Sequence, residues 1–199
     1  MKSNILFLLS LHFTAMSCSA DSGRTQKTDF DSLARQTVNE FYSWYINEAY
    51  PISTSYYQMP GYKELNPTSY IFDIDEYKSR LGKIEYFSPE YKERLVKRLS
   101  ECNEEMLNFE WEYEPEPMFN IASCNYLWGN QWVGGQGENI TGHEITSIEI
   151  ISDTVAICKV NILIEDTTFV KSIVTLERLN NVKPKISDIS LQWKNEDEE

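Results

Sequence analysis

Histidine is almost missing from this 199-residue sequence, which holds only His12 and His143. His12 falls in an apolar leader. A Ser-His-Asp triad would therefore rest on His143 alone, and no G-x-S-x-G elbow accompanies it. His143 reads as a loop or strand-edge residue. Cysteine is scarce too, with four in the chain. No two stand at C-x-x-C spacing, which argues against a structural zinc site. Basic residues are few: 18 Lys and Arg face 31 Asp and Glu, for a formal charge of −13. Nucleic acid binding needs clustered Lys and Arg, so no nucleic acid partner is expected. The same balance argues against a chain that lies flat on an anionic lipid surface. Gly134-Gly135-Gln136-Gly137 lacks the Lys and Ser or Thr that complete a phosphate loop, and reads as a flexible loop. Asp73 and Asp75 form a D-x-D without the glycine and glutamate of a calcium loop. Neither a metal nor a cofactor is predicted, and no residue is singled out as catalytic.

What the chain does have begins at its start. Met1 and Lys2 precede an apolar run of Ile5, Leu6, Phe7, Leu8, Leu9, Leu11 and Phe13. The run is too short to span a bilayer, which takes about 20 residues. A charged start, a short apolar centre and a small-residue end are the features of a secretory signal. The end, Ala15-Met16-Ser17-Cys18, resembles the lipobox of bacterial lipoproteins, although leucine usually stands where Ala15 stands. The resemblance implies that Cys18 is lipidated and that residues 1–17 are removed. The alternative is an ordinary signal peptide cut nearby, with Cys18 incidental. One acyl chain holds a protein only marginally at a membrane, whereas several hold it stably. The implied partner is a membrane, reached through the lipid, and the implied address is the bacterial envelope, with the outer membrane as the usual destination. Residues 18–29 are small and polar and read as a flexible tether. An α+β domain is expected over 30–194, and the acidic end 195–199 reads as a solvated tail.

Three cysteines remain if Cys18 carries lipid. Cys158 sits in an alternating apolar segment with Ala156, Val160 and Ile162, and reads as a buried thiol. Cys102 and Cys124 are then the pair for a disulfide, which an exported compartment permits. Three buried free thiols are the alternative, because sequence does not fix connectivity.

The first half of the chain has helical periodicity. Asp29 or Asp31 can cap a helix whose stripe is Ala34, Val38, Phe41, Tyr45 and Ala49, ending at Pro51. Residues 52–70 read as a long loop. Asp75 can cap a shorter helix with Tyr77, Leu81 and Ile84 inward. Ser88-Pro89-Glu90 is a strong helix start, followed by the stripe Tyr91, Leu95, Leu99, Cys102 and Met106. Glu110, Glu112, Glu114 and Glu116 alternate with aromatic and proline residues and read as a solvated face. Residues 118–137 are loop-rich. From there the period changes to two, and strands are predicted over 144–151, 155–165, 169–179 and 185–193. Turns at Asp153, Asp166-Thr167 and Asn180-Asn181 make neighbouring strands antiparallel. Helices first and strands afterward predict an α+β single domain, with N-terminal helices packed on a curved antiparallel sheet.

The segments FYSWYI (41–46), FSPEYKERL (87–95) and KISDISL (185–191) resemble an uncharacterised family of bacterial lipoproteins. That resemblance implies the cone-like fold shared by nuclear transport factor 2 and ketosteroid isomerase, over roughly residues 30 to 193. Asn181-Val182-Lys183-Pro184 departs from the family, which often has tryptophan and glycine there. The family carries no agreed activity, so the resemblance speaks to fold rather than function.

Aromatic residues are plentiful, at 13% of the chain. Most must serve the core. Trp128 and Trp132 fall in the Gly-rich loop region, where a scaffold often carries binding contacts, and Tyr45 joins them as a candidate ligand contact. The other reading of the two tryptophans is a cap over the open end of a cone. Two function classes stay open. One is a non-enzymatic envelope module that binds a protein or a small apolar ligand. The other is an isomerase- or dehydratase-like enzyme, which needs a carboxylate or histidine facing into the cone. Asp188 has the parity opposite to Ile189, Leu191 and Trp193, so it faces away if they face the core. The binding module is therefore the expectation.

Overall fold

The computed structural model describes residues 22–52, 56–111, 121–135, 137–178 and 182–193. Cys18, Glu112, Glu114, Glu116, Asn180, Asn181 and the acidic tail lie outside them. The first helix, α1, spans Ser22–Trp44. It runs on through a π turn, Tyr45–Ala49, into the short α2, Tyr50–Ile52. Residues 22–29, expected in a tether, are therefore helical. Once the apolar stripe has nucleated the helix, each added residue costs little, and Arg24, Gln26 and Lys27 are good helix formers. Pro51 does not stop the helix at once. Its ring would clash with the carbonyl four residues back, and it has no N–H to donate. The chain loosens just before it: the Tyr50 N–H reaches the Tyr45 carbonyl, five residues back.

Two strands follow where a loop was expected, β1 (Tyr62–Asn66) and β2 (Ser69–Phe72), paired antiparallel. Four or five residues with an exposed first strand carry too little alternation to be read in advance. Asn103 holds this hairpin to the rest of the molecule. Its side chain accepts from the Phe72 N–H at 2.8 Å and donates to the Phe72 carbonyl at 2.9 Å. Helix α3 spans Ile74–Gly82 and is capped by Asp73, not Asp75; the Asp73 carboxylate accepts from the N–H groups of Asp75 and Glu76. Helix α4, Pro89–Met106, starts as expected, with Ser88 accepting from the Tyr91 N–H at 3.1 Å. Its stripe of Tyr91, Leu95, Leu99, Cys102 and Met106 is buried. A 3-10 segment, Ala122–Trp128, then brings Cys124 to Cys102, and the two are disulfide-bonded.

The second half is a four-stranded antiparallel meander in the order β3 (Gly142–Ile150), β4 (Val155–Ile164), β5 (Thr167–Glu177) and β6 (Lys185–Trp193). The β4–β5 turn is Glu165-Asp166, one residue earlier than expected. Both residues have positive φ, at 47° and 65°, which matches the twist of a two-residue hairpin. Bulges between Ile145 and Ser147, between Ile162 and Leu163, and between Thr175 and Leu176 bend the sheet. Alternation buries Ala156, Cys158, Val160 and Ile162 of β4 with Val170, Val174 and Leu176 of β5. Helix α1 lies on the sheet, touching β3, β4 and β6. Each large side chain so buried contributes about 1.5–3 kcal/mol relative to exposure. The strand-like stretch before α4 joins the sheet edge, where Phe87 bridges Ile186 in parallel. The chain is thus an α+β domain with its helices N-terminal to the main sheet.

Candidate functional site

A groove opens beside the π turn. Widening the helix by one residue per turn brings Trp44, Glu48 and Ala49 to one side. Tyr56 and Tyr57 close the other side, and the space between is about 290 Å³. Ala49 is small and buried, so it makes a floor. Trp44 and Tyr57 meet edge to face, with centroids 5.3 Å apart and planes at 65°. Tyr86 extends the aromatic strip beyond Trp44, at 5.8 Å. Glu48 is exposed at the rim, and among the described residues it makes no ion pair or side-chain hydrogen bond.

The wall bearing Tyr56 and Tyr57 is fixed from below. Arg80 donates to the Tyr56 carbonyl at 2.6 Å and the Met59 carbonyl at 3.2 Å, and its guanidinium lies 4.2 Å from the Tyr56 ring centre. Glu76 neutralises Arg80 at 2.6 Å and accepts from the Gly61 N–H at 2.8 Å. The Gly61 N–H, and then Arg80, hold the Glu76 carboxyl below its ordinary range. Gln58 ties the same segment inward. It donates to the Tyr45 hydroxyl at 3.1 Å and accepts from the Gln131 N–H at 2.7 Å.

Tyr45 is therefore not a groove residue. It is 1% exposed, and its hydroxyl accepts from Gln58 and, at 2.6 Å, from Asn130. Burial pushes its hydroxyl pKa well up. Trp132 is likewise corrected from loop surface to core, at 0% exposure. It packs edge to face on Tyr45 and Phe87, each at 5.0 Å, and on Phe41 at 6.1 Å. The described part of the loop that carries it is tied by hydrogen bonds. Asn130 accepts from the Trp132 and Val133 N–H groups, and Gly134 and Gly135 turn with φ of 72° and 77°. A Cβ on Gly134 would lie 3.0 Å from the Trp193 ring and 3.1 Å from Val170, and the positive φ would strain any side chain there. Trp128 ends the 3-10 segment, and its side chain lies outside the described residues. Sequence reasoning missed Trp44, Tyr57, Gln58 and Asn130. Trp44 had a signal, since it stands off the apolar stripe of its own helix.

A second, polar groove of about 430 Å³ lies between α1 and β3, lined by Ser32, Arg35, Gln36, Asn39, His143 and Ile145. His143 Nε2 and Asn39 Oδ1 are 3.1 Å apart. Burial lowers the His143 pKa, which favours the neutral ring. Among the described lining residues Ser32 offers a hydroxyl and none offers a carboxylate. Asp188 is half-exposed and ion-paired with Arg94 at 3.5 Å, in line with its expected outward parity. The buried polar side chains among the described residues are Thr37, Gln58, Ser88, Asn103, Asn130, Ser172, Arg178 and Ser187, together with buried tyrosines. Compared with family models, curated proteins and solved structures, the chain matches none.

Proposed function

We propose that this protein is a lipid-anchored envelope protein that acts as a non-enzymatic binding module. In this reading Cys18 carries the lipid, residues 1–17 are removed, and the aromatic groove beside the π turn takes the ligand. The observation that carries it is the groove itself: Trp44 and Glu48 on the helical side face Tyr56 and Tyr57 on a wall held by Arg80, Glu76 and Gln58. A site whose walls are already fixed loses little order on binding. The Cys102–Cys124 bond supports export, because such bonds persist in oxidising compartments. Helices ahead of a bulged four-stranded sheet support kinship with the lipoproteins of the nuclear transport factor 2-like fold. An isomerase-like enzyme on this fold needs a proton shuttle facing inward, and Asp188 faces solvent.

Two measurements test the reading. Labelling with a fatty acid in cells should mark the wild type and not Cys18→Ser; absence of label in the wild type refutes the anchor. A fragment screen read by Trp and Tyr ring signals should move Trp44 and Tyr57 together. A screen in which no fragment moves either ring would refute the groove as a binding site.

A further inference from the structure

The chemistry of the groove narrows its ligand, given the binding reading above. Aromatic faces attract cations through their quadrupole, and a neighbouring carboxylate adds charge attraction. Trp44 and Tyr57 meet edge to face at 65° and both line the groove, so the corner between them offers two rings to one small group. Glu48 stands four residues beyond Trp44, and the π turn keeps both on the groove side. The positive charges of the surroundings are already engaged. Arg80 is spent on Glu76, two carbonyls and the Tyr56 ring, and Lys183 on Glu40. Lys183 offsets Glu40, but Glu85 and Glu48 also act on Tyr86 at the end of the strip, which leaves the local field negative. That Tyr56 already holds a guanidinium shows that rings of this wall take a cation. An anion would be repelled by Glu48, and a purely apolar ligand would leave that carboxylate without a charge partner.

We infer that the Trp44–Tyr57 groove, with Glu48 at its rim, binds the quaternary or alkylated ammonium group of a small organic cation. The groove, at about 290 Å³, is large enough for a trimethylammonium head. The same head could belong to a free amine or to a lipid headgroup, and the two share this chemistry.

The test titrates the purified full chain with choline and with 3,3-dimethylbutan-1-ol, its uncharged analogue of the same shape. Trp fluorescence and ring chemical shifts report binding. Choline should saturate the site and shift Trp44 and Tyr57, with the uncharged alcohol about ten-fold weaker. Glu48→Gln should weaken choline about three-fold without unfolding, since the side chain is exposed. Tyr57→Leu should lose more, and Arg35→Ala in the polar groove should lose nothing. Glycerophosphocholine distinguishes the two sources: weaker binding than choline indicates a free amine, and equal or tighter binding a headgroup. If the alcohol binds as well as choline, or if Glu48→Gln changes nothing, the groove is simply apolar; the cation inference fails and the binding module survives. If choline does not bind while the fragment screen still moves both rings, the cation inference alone is again overturned.

Discussion

Trp132→Ala is the perturbation that most directly separates a core tryptophan from a binding one. The side chain is fully buried and touches Phe41, Tyr45 and Phe87 edge to face. Its removal leaves an indole-sized hole at the junction of α1, the stretch before α4, and the Asn130 loop. Truncating a buried Phe or Trp to Ala costs about 3–5 kcal/mol, and three aromatic partners put this site toward the upper end. The backbone around it would suffer as well, because the Tyr42 hydroxyl donates to the Trp132 carbonyl at 3.2 Å and bonds Ser172 at 2.7 Å. A domain of this size is stable by about 5–15 kcal/mol, so the variant should lose a large share of its margin. With a urea slope of about 2 kcal/mol per molar, the midpoint should fall by about 2 M. Far-UV circular dichroism is the suitable probe, since the change removes a fluorophore. Phe41→Ala should behave alike, being equally buried. The half-buried Trp44→Ala should cost clearly less. A loss under about 1 kcal/mol for Trp132→Ala would refute the packing described and restore the tryptophan as a surface residue.

Breaking the Cys102–Cys124 bond, which closes a loop of sequence separation 22, should cost about 2–4 kcal/mol, seen as a lower melting temperature of Cys102→Ser or of the reduced protein. Cys158 is buried, and burial pushes its thiol pKa up to about 12. It should therefore resist alkylation in the fold and react at the rate of unfolding; rapid labelling would show that the β4 register is wrong by one residue. His143 has its pKa lowered by burial, so the unfolded chain binds its proton more readily. Its contribution to stability should be complete above the ordinary value of about 6.5 and fade as pH falls toward the lower folded value. His143→Gln should remove that part of the slope. The carboxyls of Glu40 and Glu76, held low by hydrogen bonds, should keep theirs until pH drops below about 4.5. An unchanged slope in His143→Gln would refute the assignment.

What the sequence by itself determined is local. The cap at Ser88 and the stripe from Tyr91 to Met106 are legible because hydrogen bonding and burial there repeat every three or four residues. The four long strands are legible because β4 and β5 bury every second side chain. The pairing of Cys102 with Cys124 was open between a bond and free thiols, and only the packing of the 3-10 segment on α4 joined them. Parity placed Cys158 in the core and Asp188 outside it, since both lie in strands whose register is set by a buried face. Tertiary structure decided the rest. Composition marked Trp132 as a loop residue, yet Asn130, Gly134 and Gly135 fold that loop inward against Phe41 and Phe87. Trp44 and Tyr57 stand on opposite sides of Pro51, and no periodicity links them. Their meeting depends on a π turn that relieves the proline and on Gln58 reaching Tyr45 and the Gln131 backbone. A groove is made of gaps between segments, and a pattern along one segment carries no record of what the next will leave uncovered.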